Sequence, residues 1–220
     1  YPGEVMEQLR NGVDGHRLIF SKKQEYSNIA APSPDQSVAE ADVVFGQADP
    51  QQLMDHSKIR WVHLTSAGYT NYDRDDLRHN FRERGSILTN SSSVYAEPCA
   101  QHLVAMMLAW ARKLHIAVEN QRGDHAWMYR QIREQSVLLN GQNVLLVGFG
   151  AIAKRAAEML KPFDMEITAL RRTPSGDEGV PCRPIAEFSN LLPSAGHILN
   201  TLPLSPATKK IFGPGEFAEM

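Results

Sequence analysis

The chain has 220 residues with 15 Gly and 13 Pro, an ordinary globular proportion that excludes collagen-like, low-complexity and linker proteins. Twenty-three Lys and Arg against 25 Asp and Glu leave a net charge of -2 with no like-charge block, so the basic footprint of a nucleic-acid binder is absent. At roughly 100 to 200 residues per domain, the length suits one large domain or two modest ones, each with a real core.

In chain order, the first ninety residues alternate short β-type runs with polar, helix-compatible stretches, the pattern of parallel strands joined by crossover helices. Strands are expected at Leu18-Ile19-Phe20, Val43-Val44-Phe45, Trp61-Val62-His63-Leu64 and Ile87-Leu88-Thr89. Ala31-Pro32-Ser33-Pro34 reads as a loop, Asp49-Pro50 as the start of a short helix, and Asp73 to Glu83 as a charged helix. Asn90-Ser91-Ser92-Ser93 is a polar junction, which predicts two domains, 1–93 and 94–220. From Ala96 to about Asn120 the chain carries helix formers with hardly a breaker, so one long helix is expected. Its apolar residues surround most of the circumference between Leu103 and Trp110, which predicts burial on more than one side. The apolar run Leu103 to Ala111 closes at Arg112 and Lys113, well short of the ~20 residues of a membrane span, so no membrane partner is expected. Gly123 ends the helical region, and Trp127-Met128-Tyr129 is an apolar cluster expected to pack against something. After Asn140-Gly141 the alternation resumes with a strand at Val144 to Val147, a helix at Ala151 to Leu160, and strands at Ile167 to Leu170 and Ile198-Leu199. Cys99 and Cys182 lack zinc or redox spacing, which suits a reducing, cytoplasmic setting. Both chain ends read as cut: Tyr1 follows no leader pattern, and no helix-ending signal precedes Met220.

The residues from Val144 to Ala153 form an apolar strand that runs into G-x-G-x-x-A and then into a helix, the context that lifts a glycine motif to a dinucleotide site. Gly148 suits the tight turn, Gly150 admits a pyrophosphate close to the backbone, and Ala153 permits close helix-on-strand packing. The free amides at the helix start, at Ala151 and Ile152, favour an anion. About 20 residues on, a site for free ribose hydroxyls carries an acid, but here the strand ends in Leu170-Arg171-Arg172. Guanidinium groups accept a 2′-phosphate that an acid would repel, so the expected cofactor is NADP, with NAD as the alternative. Upstream, Thr65 to Asn71 forms a small-residue turn after a strand, with backbone amides suited to a carboxylate.

Taken together, Thr65-Ser66-Ala67-Gly68-Tyr69, Thr89 to Glu97, Ala100-Gln101-His102, Gly148 to Ala153 and Asn200 to Thr208 stand in the order and approximate spacing of one family. The chain resembles the D-isomer-specific 2-hydroxyacid dehydrogenases, in particular the NADP-preferring glyoxylate/hydroxypyruvate reductase-like branch. The resemblance implies an α/β protein with a flavodoxin-like substrate domain and a Rossmann cofactor domain, a doubly wound parallel sheet here incomplete at its C-terminal side. It implies hydride transfer between nicotinamide and C2 of a small 2-keto or 2-hydroxy acid in the cleft between them. By the same resemblance Ala67 and Gly68 bind the substrate carboxylate, and Gly148, Gly150, Ala151 and Ile152 hold the pyrophosphate. Arg171, with Arg172 beside it, sits where NAD-using relatives carry Asp, and Thr201, Leu202 and Pro203 line the nicotinamide end. It also implies a homodimer through residues 96–127.

Two departures stand out: Gln101 where many relatives carry Glu, and Asp164 where Gly is common, a site that Asp can occupy in the left-handed conformation. The family's catalytic Arg, Glu and His fall beyond Met220, so the 220 residues are expected to bind cofactor with negligible turnover. His63, His79, His102, His115, His125 and His197 have no spaced acid partner, and Asp73, Asp75 and Asp76 lack the glycine and spacing of a calcium loop, so no metal is expected. The alternative reading is a non-enzymatic, dimerising dinucleotide sensor resembling the family's corepressor branch.

Overall fold

The computed structural model describes residues 3–21 and 32–220, which divide into two compact units, Tyr1–Ser91 and Ser92–Met220. Ala31, the first residue of the expected loop, lies outside the described residues.

In the first unit, helix α1 (Gly3–Gly12) precedes strand β1 (Val43–Phe45), helix α2 (Pro50–Asp55), strand β2 (Trp61–Leu64), helix α3 (Asp75–Arg84) and strand β3 (Ile87–Asn90). The strands pair in parallel in the order β1-β2-β3, with Val44 opposite Val62 and Val62 opposite Leu88. Three parallel strands in chain order are compatible with the 3-4-5 part of the flavodoxin-like order 2-1-3-4-5. Local chemistry sets the helix ends. The Asp49 carboxylate accepts from the Gln52 amide at 2.9 Å while Pro50 takes the first turn of α2, and Gly85 ends α3 at φ +70°. Strand alternation sends Val44, Val62 and Leu64 into a core with Leu53, Ile59, Leu77 and Phe81, while Val43, Phe45, Trp61 and Ile87 stay exposed. Leu18-Ile19-Phe20 is not a strand: no described strand pairs with it, and without a ladder a short apolar run has nothing to hold it extended.

The second unit begins with helices α4 (Ala96–Ala111), α5 (Leu114–Arg122) and α6 (Tyr129–Gln135). The single long helix expected from Ala96 to Asn120 is therefore broken. Lys113 adopts a left-handed conformation at φ 55°, and the Val137 amide donates to the Ala111 carbonyl at 2.9 Å. The Lys113 ammonium lies 4.3 Å from the centre of the Trp110 ring, which stacks on His115. Only Ala100, Met107 and Ala111 of α4 are buried, so a single face of that helix is covered within this chain. Trp127 is 89% exposed rather than packed.

Strand β4 (Asn143–Val147), helix α7 (Ala151–Leu160), strand β5 (Glu166–Arg171), strand β6 (Cys182–Pro184), helix α8 (Phe188–Leu191), strand β7 (His197–Asn200) and helix α9 (Pro214–Ala218) follow. All four strands are parallel in the order β6-β5-β4-β7, which matches the first four places of the Rossmann order 3-2-1-4-5-6. The sheet is covered on both faces. Val144 and Leu146 of β4 pack with Ala100, Met107, Ala153, Ala156 and Ala157 of α4 and α7, whereas Leu145 and Val147 pack with Leu170, Phe188 and Leu192 on the other side. Asp164 adopts the left-handed conformation at φ 49°, the conformation expected of it from the sequence.

Candidate dinucleotide site

The strand order reverses at β4, which has β5 on one side and β7 on the other. In open parallel sheets the crevice beyond the carboxyl ends of the strands at such a point is where ligands bind. Two segments meet there. Gly148 leaves β4 at φ +89°, with its amide bonded to the Leu170 carbonyl at 3.1 Å. From β7, the Thr201 amide donates to the Val147 carbonyl at 2.9 Å and the Thr201 hydroxyl to the Gly148 carbonyl at 3.2 Å. A Cβ on Gly148 would meet Leu202 Cδ2 at 3.0 Å and the Leu202 amide nitrogen at 3.3 Å. Glycine is thus required twice, by its backbone angle and by the close passage of Leu202.

Gly150 differs. It is the N-cap of α7 and has no side chain to cap the helix, and a Cβ there would meet nothing within 4 Å. The first amides of α7, at Ala151 and Ile152, thus have no side-chain cap from the N-cap residue and stand at the positive end of the helix dipole. Ala153, with no exposure, lets α7 approach the sheet. These features fit a diphosphate held on main-chain donors. Thr201, Leu202 and Pro203 continue beside the elbow, and the turn that follows is closed by the Thr208 hydroxyl donating to the Pro203 carbonyl at 2.6 Å.

Arg171 is the last residue of β5 and Arg172, the next, is exposed. The Arg171 guanidinium is already engaged: Nη1 lies 2.9 Å from Glu178 Oε1. The same carboxylate accepts from the Ser175 amide at 2.6 Å and the Gly176 amide at 2.8 Å, while the Ser175 hydroxyl lies between Glu178 Oε1 at 2.8 Å and Asp177 Oδ1 at 2.5 Å, with one proton for the two. These donors, the Ser175 amide foremost, hold the Glu178 carboxyl down to about 2. Sequence reading passed over Glu178, whose only signal is an acid in the Ser-Gly-Asp-Glu turn just past the arginines. Cys182 on β6 has its thiol pushed up, first by burial and then by the nearby Glu178 charge. Both cysteines are free and half-buried.

A second ion pair braces α7. The Arg155 Nε lies 2.5 Å from Glu97 Oε2 on α4, and Gln101 donates to Glu97 Oε1 at 2.8 Å. The Arg155 guanidinium holds the Glu97 carboxyl below its ordinary range.

In the first unit, the turn with Ala67 and Gly68 has its carbonyls occupied. The Ser91 amide donates to the Ser66 carbonyl at 3.1 Å, Asn90 Nδ2 to the Ala67 carbonyl at 2.7 Å, and the Ser66 hydroxyl to the Gly68 carbonyl at 2.6 Å. The neighbouring His63 ring sits between the hydroxyls of Thr89 and Ser91, at 2.9 and 3.1 Å, rather than against an acid. His197 is bonded to Gln142 at 2.9 Å, and burial lowers its pKa. Among the described residues no helix is long and apolar enough to cross a membrane, and no three His, Cys, Asp or Glu residues are placed to hold a metal ion.

Residues 104–220 match the family model described as D-isomer specific 2-hydroxyacid dehydrogenase, NAD binding domain. The chain is 26% identical over 185 residues to a glyoxylate reductase of Thermococcus litoralis, covering 81% of this chain and 54% of that protein. It is 24% identical over 225 residues to glyoxylate/hydroxypyruvate reductase B of Escherichia coli, covering 100% of this chain and 66% of that protein. Among solved structures, the D-lactate dehydrogenase of Aquifex aeolicus complexed with NAD and lactic acid superposes with a TM-score of 0.77 at 16% identity, covering 100% of this chain and 64% of that one. An acyclic imino acid reductase in complex with NADPH and D-Arg superposes with a TM-score of 0.66 at 17% identity, over 78% of this chain and 54% of that one. The chain spans between about half and two thirds of the length of these relatives. With its parallel α/β sheets, its glycine elbow and a family model covering more than half of its length, the chain belongs to the D-isomer-specific 2-hydroxyacid dehydrogenases.

Proposed function

We propose that the chain serves an NAD(P)-dependent oxidoreductase that moves a hydride between nicotinamide and C2 of a small 2-keto acid such as glyoxylate or hydroxypyruvate. The observation that carries this reading is the uncapped start of α7 behind the sterically open Gly150, at the point where the strand order reverses. In this reading residues 94–220 form the cofactor domain. Gly148, Gly150, Ala151 and Ile152 hold the pyrophosphate, and Thr201, Leu202 and Pro203 bound the nicotinamide end. When bound, the nicotinamide supplies or accepts the hydride. Arg171 and Arg172 favour NADP over NAD by charge, since a 2′-phosphate gains two cationic neighbours there.

Residues 1–93 form the substrate domain. Hydrogen bonds to the Ser66, Ala67 and Gly68 carbonyls fix the turn, and in this reading its Ala67 and Gly68 amides receive the substrate carboxylate. The family's Arg, Glu and His have no counterpart assigned within the 220 residues, so these residues alone bind cofactor and turn over negligibly. Loss of a proton donor and a carboxylate clamp each removes orders of magnitude in rate.

The working form is a homodimer through residues 96–127. Met106, Trp110, Leu114, Val118 and Trp127 are exposed along α4, α5 and the segment after them, and a cavity of about 660 Å³ adjoins them, lined by Trp127, Met128 and Ile132 together with polar residues such as Arg112, Asn120 and Arg133. A surface this apolar on one side of a chain suits a partner copy. Two unpaired cysteines accord with a cytoplasmic setting.

The test is a thermal-shift titration of the 220-residue chain with NADPH and NADH. A ligand that binds only the folded state stabilises it by about 2.7 kcal/mol at a hundredfold excess over its Kd, so NADPH is expected to raise Tm by more than NADH at equal concentration. No shift with either dinucleotide overturns the reading. NADPH oxidation with glyoxylate at ordinary enzyme rates overturns the assignment of negligible turnover.

A further inference from the structure

The loop after β5 closes on itself through one acid. Glu178 draws three hydrogen bonds, from Arg171 Nη1, the Ser175 amide and the Gly176 amide, all between 2.6 and 2.9 Å, and lies 2.8 Å from the Ser175 hydroxyl, which also meets Asp177 Oδ1 at 2.5 Å. Successive main-chain N–H groups beside a guanidinium and a hydroxyl make an anion nest. This nest lies at the end of β5, where a Rossmann fold meets the adenosine ribose. Its present occupant is a carboxylate of the chain itself, with a side chain only 2% exposed.

Two roles are open to an acid in that place. It can accept the ribose hydroxyls, as the acid of an NAD site does, or it can fill a nest built for another anion. The geometry disfavours the first. Oε1 already accepts from Arg171 Nη1 and the Ser175 amide, Oε2 accepts the Gly176 amide, and the side chain is closed to solvent, which leaves no exposed acceptor edge for a sugar. The low pKa follows from the same donors and means that the carboxyl remains charged throughout the physiological range.

We propose that Glu178 is an internal stand-in for the adenosine 2′-phosphate: it holds the nest of Arg171, Ser175 and Gly176 and must yield it before a 2′-phosphorylated dinucleotide can use those donors. The inference rests on the cofactor reading above. Glu178 is thereby a specificity-setting residue that weakens NADP binding without touching NAD binding, because a ligand with a free 2′-hydroxyl does not compete for the nest. A chain with arginines at this position is less selective for NADP than its arginines alone indicate.

Glu178→Gln tests this, with adenosine 2′,5′-bisphosphate and AMP as probes that differ only at the 2′ position, titrated calorimetrically against the 220-residue chain. Removing one charge beside a bound dianion at surface dielectric is expected to tighten the bisphosphate roughly tenfold, with AMP changed by less than about twofold. A second measurement needs no variant. In the native chain, the amide resonances of Ser175 and Gly176 are expected to move on addition of the bisphosphate and to stay in place with AMP, and this decides the matter if the variant fails to fold. Should the bisphosphate outbind AMP equally in both proteins, or the two resonances ignore it, the competitor role of Glu178 is overturned and the NADP reading stands. If neither protein distinguishes the two probes, both fall.

Discussion

The Thr201 hydroxyl donates to the Gly148 carbonyl at 3.2 Å and so ties the end of β7 to the end of β4 where the strand order reverses. The carbonyl of the elbow glycine is thereby fixed, and Leu202 passes where a Cβ on that glycine would stand. Gly148→Ala meets both obstacles, a left-handed backbone and a Cβ at 3.0 Å from Leu202 Cδ2. It is expected to cost about 1–3 kcal/mol in chemical denaturation. An alanine variant as stable as the parent contradicts the geometry of the elbow.

Arg171 ends β5 and reaches Glu178. Arg171→Asp removes the cation and puts a second acid beside Glu178, so affinity for NADPH is expected to fall by at least about tenfold while NADH falls far less. Kd values from fluorescence titration give the ratio, and an unchanged NADPH to NADH ratio counts against any role for Arg171 at the 2′ position.

Trp110 is 60% exposed beside Met106 on α4. If residues 96–127 join two copies, Trp110→Asp buries a charge in the interface and is expected to turn the dimer into a monomer by light scattering. A native chain that is monomeric at high micromolar concentration, or a dimeric Trp110→Asp variant, rejects that interface.

Burial lowers the pKa of His197, which bonds to Gln142. The unfolded state therefore binds its proton more readily than the folded state, and stability from this group is present above about pH 6.5 and lost as pH falls through the lowered folded value. The carboxylates held low by partners, such as Glu97 and Glu178, act only at more acid pH. Unfolding measured between pH 8 and 5 is expected to show the loss, and His197→Gln to flatten it. An identical slope in the variant contradicts the assignment.

Strand β4 was legible because a parallel strand covered on both faces is a continuous apolar run, as Val144 to Val147 is. The elbow was legible because Gly148 and Gly150 follow that run directly. What escaped was settled by contacts distant in sequence or by loop closure. Nothing in Arg112-Lys113 marks a helix break, yet the Ala111 carbonyl is taken by Val137 and Lys113 turns left-handed. Strand β6, only Cys182–Pro184, is too short and too rich in proline to read as a strand without the β5 edge that it pairs with. Leu18 to Phe20 shows the converse, an apolar run that no described strand pairs with. Glu178 lies seven residues beyond Arg171 in a polar turn, and only the fold of that turn brings carboxylate and guanidinium together.

The central claim is that the open elbow at Gly150 admits a dinucleotide's diphosphate, and Gly150→Ala isolates it. Because a Cβ there meets nothing within 4 Å and the backbone at φ -88° is ordinary, the variant is expected to lose less than about 1 kcal/mol of stability. Isothermal titration with NADPH is the decisive measurement: the native chain binds and the equally folded Gly150→Ala chain binds at least about tenfold more weakly, a loss of ~1.4 kcal/mol. Equal binding by the two, or no binding by the native chain, contradicts the account.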